Sequence, residues 1–236
     1  MKLIVIAGPP SAGKTALIKQ IVKNLKDEFS ISFLKMDVVK AYEDIELKNE
    51  FNIHTRKIYS GDLCPDHAEV MIVGETIEWA EENGSELLLI ESAGLCLRCS
   101  PYLNQGMGIA VLSSISGIHA PEKMSTMIGL ADTIVVTKTD LVSQAEREVM
   151  AQKIKEVHSG IKLIETNALQ GTALNQLFDL IRNSQDIDKN NLYLKGNPPI
   201  GTCTICIGKK DIGWQNHFGV VKKLSGQIAD YLYRGE

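Results

Sequence analysis

Gly8-Pro9-Pro10-Ser11-Ala12-Gly13-Lys14-Thr15 is the stretch on which the reading of this chain turns. It fits the pattern G-x-x-x-x-G-K-[S/T] at every fixed position. It lies directly after a short apolar run, residues 3–7, and directly before an amphipathic stretch, residues 14–26. A strand that enters a glycine-bearing turn and leaves as a helix aims backbone N–H groups and a helix N-terminus at one point, where a phosphate is stabilised. The glycines permit the curl, Lys14 is placed to reach the terminal phosphates, and the Thr15 hydroxyl is a magnesium ligand.

Working outward, runs rich in Ile, Val and Leu recur at residues 3–7, 31–36, 87–90, 109–112, 133–137 and 161–165. Continuous apolar runs this short are how strands read when both faces of a parallel sheet are covered. Between them, residues 14–26, 66–82, 121–130, 143–157 and 173–182 carry helical signals. Pro121 suits a first helical turn, and Asn83-Gly84 is a stop after the second helix. The alternation predicts an α/β fold, a doubly wound and mostly parallel sheet of the phosphate-loop NTPase kind, with ligands at the carboxyl ends of the strands.

A chain of 236 residues, 44% hydrophobic, can bury the core such a sheet needs. The pattern fades after residue 183. Residues 1–183 therefore read as the phosphate-loop domain and 184–199 as a polar, turn-rich linker. Residues 200–236 read as a small cysteine-containing appendage, too short to fold alone without a metal or a docking surface. A net charge of −4 speaks against a general nucleic-acid binder. No apolar run approaches the roughly 20 residues that cross a bilayer. The expectation is a cytoplasmic protein that engages neither nucleic acid nor membrane.

A phosphate loop with magnesium needs a carboxylate from a neighbouring strand end. Leu88-Leu89-Ile90-Glu91-Ser92-Ala93-Gly94 supplies an apolar strand, a carboxylate at its tip and a glycine three residues on. Glu91 is placed to hold a metal-bound water, and the Gly94 N–H to sense a γ-phosphate. Asp37, just past the run 31–36, is a second magnesium candidate. Lys14, Asp37, Glu91 and Gly94 form the candidate catalytic set, with Asp37 and Asp62 the candidates for positioning a water. The phosphate loop holds no second lysine, which disfavours the partition-type ATPases.

The base is readable from Val135-Val136-Thr137-Lys138-Thr139-Asp140, a strand that ends in T-K-x-D. An aspartate there accepts from guanine N1–H and the exocyclic amine together; adenine offers no such donor pair. Lys138 would lie along the base plane. Asn167-Ala168-Leu169, after the last strand, would close the pocket, so a guanine nucleotide is the expected ligand.

The five cysteines are Cys64, the pair Cys96 and Cys99, and the pair Cys203 and Cys206. In a cytosolic protein this spacing points to metal or redox chemistry rather than structural disulfides. Cys203-Thr204-Ile205-Cys206-Ile207-Gly208 is a knuckle suited to Zn²⁺ or an iron–sulfur cluster. Cys96 and Cys99 follow Gly94 closely, so they would move with a γ-phosphate contact. The pairs can form one four-cysteine site, or Cys96 and Cys99 can meet their counterparts across a dimer. His119 and His217 read as ordinary surface or core histidines.

Together these motifs resemble the SIMIBI-class GTPases that insert metals, the hydrogenase nickel-incorporation and urease accessory GTPases. The resemblance covers residues 2–182. Besides the phosphate loop it rests on Met36-Asp37 before an acidic helix, on Tyr59-Ser60-Gly61-Asp62-Leu63-Cys64-Pro65 opening a helix, on Glu91-Ser92-Ala93-Gly94 and on Thr137-Lys138-Thr139-Asp140. It implies dimerisation on GTP binding and slow hydrolysis that delivers a metal to an apo-metalloenzyme client. The sequence departs from the family at Thr137, where the pattern has Asn, and at Cys64-Pro65-Asp66-His67, where the histidine is displaced by one residue. Cys64 and His67 remain candidate ligands. No histidine-rich stretch is present, so nickel stands beside zinc and iron–sulfur as a candidate. Two other readings use the same loop: an ATP-dependent small-molecule kinase or ligase, against which residues 137–140 argue, and a metal-binding interaction module without hydrolysis.

Overall fold

Along β1 (Lys2–Ala7), Leu3, Val5 and Ala7 enter one apolar cluster while Ile4 and Ile6 enter another. This period of two is the signature of a strand covered on both faces, and it sorts the whole molecule into three layers. The computed structural model describes residues 1–38, 41–60, 64–94, 100–197, 210–213 and 230–232. The further strands among them are β2 (Ile31–Asp37), β3 (His54–Tyr59), β4 (Leu87–Glu91), β5 (Met107–Ser113), β6 (Thr133–Thr137), β7 (Lys162–Glu165) and β8 (Asp230–Leu232). They lie in the order β7-β6-β5-β1-β4-β2-β3-β8, every neighbouring pair parallel. Parallel pairing forces each return through a crossover, so the carboxyl ends of the strands collect along one edge.

One face is covered by α1 (Lys14–Leu25) and α7 (Asn175–Arg182), with Leu47 of α2 (Glu43–Phe51) beside them. α1 buries Leu17, Ile18, Ile21, Val22 and Leu25, a stripe at helical spacing. The other face is covered by α3 (Pro65–Glu82), α5 (Ser125–Leu130) and α6 (Gln144–Val157), with α4 (Ala120–Lys123) packed against α6. Ser143 caps α6, accepting from the Glu146 N–H while the Glu146 carboxylate accepts from the Ser143 N–H, a reciprocal capping box. No helix among the described residues is long and apolar enough to cross a membrane.

The doubly wound sheet expected from the apolar runs is the observed one, with two local differences. Residues 121–130 form two short helices rather than one. The chain bends at Met124 (φ −108°), and Met124, Met127 and Ile128 all enter the same cluster. β3 carried no apolar signal, because His54-Thr55-Arg56-Lys57-Ile58-Tyr59 places only Ile58 in the core. Its buried Lys57 is satisfied instead by Asp44 Oδ1 and Ala41 O, each at 3.2 Å. Residues 184–197, the described part of the expected linker 184–199, run along the core. Ile187 N donates to Met1 O at 3.0 Å, Leu192 and Leu194 are buried, and Lys195 pairs with Asp132 at 2.6 Å.

That strap lies beside Tyr102, which is fully buried against the backbone of β5; a Cβ on Gly108 would stand 2.6 Å from Tyr102 Cδ1. Gly108→Ala should therefore cost about 1–3 kcal/mol by overpacking. Chemical denaturation measures it, and an unchanged midpoint would refute this packing.

Candidate functional site

The loop after β1 is shaped by two close approaches. A Cβ on Gly8 would lie 2.3 Å from Val111 O, and Gly13, at φ +92°, would set one 3.3 Å from Thr137 Oγ1. Only glycine fits the first contact, and the second adds a left-handed backbone that glycine adopts without strain. β6 bolts the loop from the side. Thr137 Oγ1 donates to Ala12 O at 2.6 Å and Lys138 Nζ donates to Ser11 O at 2.8 Å. The positive φ of Ser11 completes the curl, and Pro9 O accepts from Ala12 N at 3.2 Å. Pro10 lies in the same turn. Lys14 opens α1 with its Nζ over the loop, 2.8 Å from Gly8 O and 3.1 Å from Pro9 O. Burial draws its ammonium below the ordinary lysine value; Glu91 opposes that and Lys35 adds to it.

On the other side of Thr15 stands Glu91, 1% exposed at the tip of β4. The Thr15 hydroxyl donates to its carboxylate, 3.2 Å from either oxygen. With the proton committed to Glu91, the hydroxyl lone pairs are left for a metal. Asp37 contributes a further carboxylate whose Oδ1 accepts from Val38 N at 2.8 Å. Hydroxyl and carboxylate oxygens, without sulfur or imidazole, are the hard donor set that Mg²⁺ takes. The donors therefore fit the ion, and Thr15, with Asp37 and Glu91 behind it, would hold it against the phosphates and supply charge neutralisation there.

Gly94 meets the phosphate loop more tightly than any spacing argument foresaw. At φ +70°, a Cβ on it would fall 1.6 Å from Gly8 O and 3.1 Å from Lys14 Nζ. Its N–H donates to Ser92 Oγ at 3.3 Å, and Ser92 Oγ donates to Asp66 Oδ1 at 3.2 Å in the first turn of α3. Glu69, one turn on and 2% exposed, is pushed well above the carboxylate range by burial, with the Asp66 charge adding to the rise and Ser92 opposing it.

Past β6 the T-K-x-D turn lies next to the loop after β7: Thr139 N donates to Thr166 O at 3.4 Å. Lys138, at φ +57°, spans the gap to the phosphate loop. Asp140 is exposed, and its carboxylate makes no hydrogen bond among the described residues. Asn167 turns its side chain inward, Oδ1 accepting from Leu169 N at 3.0 Å and Gln170 N at 3.2 Å. Ala168 is buried while Leu169 is 82% exposed, so Leu169 is the residue free to cover a planar ligand.

Of the candidate soft-metal ligands, Cys64 is the N-cap of α3 and half-buried, and His67 is buried in that helix's first turn. Cys96, Cys99, Cys203, Cys206, Asp62 and His217 lie outside the described residues. Among the described residues no three of His, Cys, Asp and Glu are grouped as a metal site. His119 is exposed, 3.7 Å from Glu122 Oε2, as an ordinary surface histidine would be. Sequence reasoning missed Lys35, Ser92, Asp66 and Glu69. The signal for the first was a lysine inside an apolar run, Ile31-Ser32-Phe33-Leu34-Lys35-Met36.

Residues 2–165 match the model of the CobW/HypB/UreG nucleotide-binding domain. An uncharacterized protein of Methanocaldococcus jannaschii is 34% identical over 238 residues, the full length of both chains. A probable hydrogenase maturation factor HypB of the same organism is 28% identical over 162 residues, covering 68% of this chain and 70% of that protein. Among solved structures, HypB from Helicobacter pylori in complex with nickel superposes with a TM-score of 0.64 at 20% identity, covering 80% of this chain and 91% of that one. At that identity the superposition speaks for the fold.

The contact between Gly94 and Gly8 yields a direct test. Gly94→Ala must push the loop open, and purine-nucleotide affinity should fall at least about tenfold. Fluorescent-nucleotide titration reads it; wild-type affinity would show that the two segments do not meet.

Proposed function

We propose, on the premise that this chain belongs to the CobW/HypB/UreG family of nucleotide-binding domains, that it is a magnesium-dependent GTP switch assisting the loading of a metal into a client enzyme. One observation carries the nucleotide part. The Thr15–Glu91 contact and the exposed Asp140 carboxylate flank a single phosphate loop, and Thr137 and Lys138 tie that loop to the base-reading turn. A triphosphate lying across this edge meets Lys14 and the N-terminus of α1 at one end and Asp140 at the other. Asp140 accepts from both guanine donors, Lys138 lies along the base, and Leu169 covers it. Lys14 would offset charge that develops as the terminal phosphoryl group leaves for water, and Thr15, Asp37 and Glu91 would hold the magnesium that adds charge neutralisation there.

The metal part draws on family membership, on the hydrogenase maturation factor among the relatives, and on the order of residues along the chain. Gly94 touches the phosphate loop, and Cys96 and Cys99 follow it at once in the sequence. A γ-phosphate that bonds the Gly94 N–H at this contact would thereby bias the segment that bears that pair, the order of events a switch requires. In this reading Cys64, His67 and the cysteine pairs carry the cargo metal, nickel or zinc, or hold a cluster. The GTP-bound chain pairs with a second copy and docks on the apo-enzyme, in the cytoplasm.

The test compares GTP, ATP and XTP binding with magnesium in the wild type and in Asp140→Asn. The wild type should prefer GTP, and the variant should move to XTP, because xanthine presents an acceptor where guanine presents its amine. Lys14→Ala should weaken every triphosphate at least about tenfold. Equal affinity for ATP and GTP in the wild type would end the guanine reading.

A further inference from the structure

Lys35 interrupts the apolar run of β2 and is 4% exposed. Ile31 and Phe33 face the α1 side of the sheet, so the pleat sends Lys35 and Asp37 to that side as well. The parallel register then sets Lys35 directly opposite Glu91. Its Nζ stands 2.7 Å from Glu91 Oε1, 3.5 Å from Asp37 Oδ2 and 3.8 Å from Glu43 Oε1. Three carboxylates from β2, α2 and β4 thus converge on a single ammonium, beside the Thr15 hydroxyl that would meet the magnesium.

Without that ammonium, the same oxygens would form a site for a divalent cation with no nucleotide present: three carboxylates and a hydroxyl are what hard cations select. With it, much of the carboxylate charge is already neutralised, and Glu91 is held as a hydrogen-bond acceptor for Thr15 rather than turned toward a metal. We propose that Lys35 is a positioning residue that makes magnesium binding conditional on the nucleotide, its ammonium holding Asp37, Glu43 and Glu91 so that a divalent ion is retained only when phosphate oxygens join the site. The inference rests on the magnesium–nucleotide reading above and deepens it. The ion arrives with the triphosphate or not at all, so the chain does not collect divalent cations at this edge between turnovers. Lysine suits the task as a compact point charge whose ammonium serves several carboxylates at once.

The test is Mn²⁺ uptake by the purified full chain, followed by electron paramagnetic resonance with and without GDP, in the wild type, Lys35→Met, Lys35→Arg and Glu91→Gln. Without nucleotide, the wild type and Lys35→Arg should take up no stoichiometric Mn²⁺ at concentrations that saturate the complex with GDP. Lys35→Met should take up one ion per chain, about tenfold or more tighter than the wild type, because a unit positive charge has left the site. A purely structural lysine would lower stability in Lys35→Met without creating this uptake, and that result overturns the proposal. So does nucleotide-free uptake of one ion by the wild type that is lost in Glu91→Gln. Where Lys35→Met does not fold, Lys35→Gln gives the same reading, since it keeps a donor toward Glu91 and drops the charge. Ion uptake with ADP as readily as with GDP would remove the guanine reading alone, whereas a chain that binds no purine nucleotide would overturn the conditional role of Lys35 as well.

Discussion

A carboxylate that is 1% exposed must be paired and hydrogen-bonded to remain charged, and Glu91 is in that position. Lys35 at 2.7 Å compensates its charge, and the Thr15 hydroxyl fills further acceptor capacity on both oxygens. Burial alone would draw Lys35 down, yet Glu91 and then Glu43 and Asp37 outweigh it, and its ammonium ends above the ordinary lysine value. Such a pair adds little net stability, because desolvating both ions offsets most of their attraction. What it contributes is direction: the carboxylate has one orientation, and with it the hydroxyl that a phosphate-bound ion must meet.

That orientation is made available by the sheet. Parallel pairing places Glu91 beside Ile6 on one side and beside Lys35 on the other, so the tip of β4 meets the start of the phosphate loop and the end of β2 together. β6 does the same from the opposite flank through Thr137, which bonds at once to Leu112 O on β5 and Ala12 O in the loop. The threonine that departs from the family's asparagine therefore ties strand to loop through its hydroxyl. The loop is clamped between two strands that are not adjacent in sequence, and its shape is a property of the fold rather than of its eight residues.

How much of this was legible follows from what each residue reports about itself. The phosphate loop, the tip of β4 and the T-K-x-D turn were readable because their residue types are dictated by local chemistry and sit beside strongly apolar strands. β3 was not readable, because its burial rests on a Lys57–Asp44 pair made across the fold and not on apolar residues. Lys35 stood in plain view as a lysine in an apolar run, but its nearest partner, Glu91, lies 56 residues away on β4, and strand register brings the two together. Asn167 was placed beside the base by its position after the last strand, and its Oδ1 also accepts from Leu169 N and Gln170 N within its own turn. Residue type announces capacity, and the register of distant strands decides its use.

The same logic extends to the far side of Gly94. Its N–H is bonded to Ser92, and Ser92 to Asp66, which lies two residues beyond the Cys64 cap of α3. Gly94 cannot retreat into the loop, because the Gly8 carbonyl already occupies the space a side chain would need. Gly94 is linked through Ser92 to the first turn of α3. Glu69 lies buried in that turn, its carboxyl raised by burial first and by the neighbouring Asp66 charge next, with Ser92 opposing. Nucleotide edge and cysteine cap thus share one short hydrogen-bonded wall.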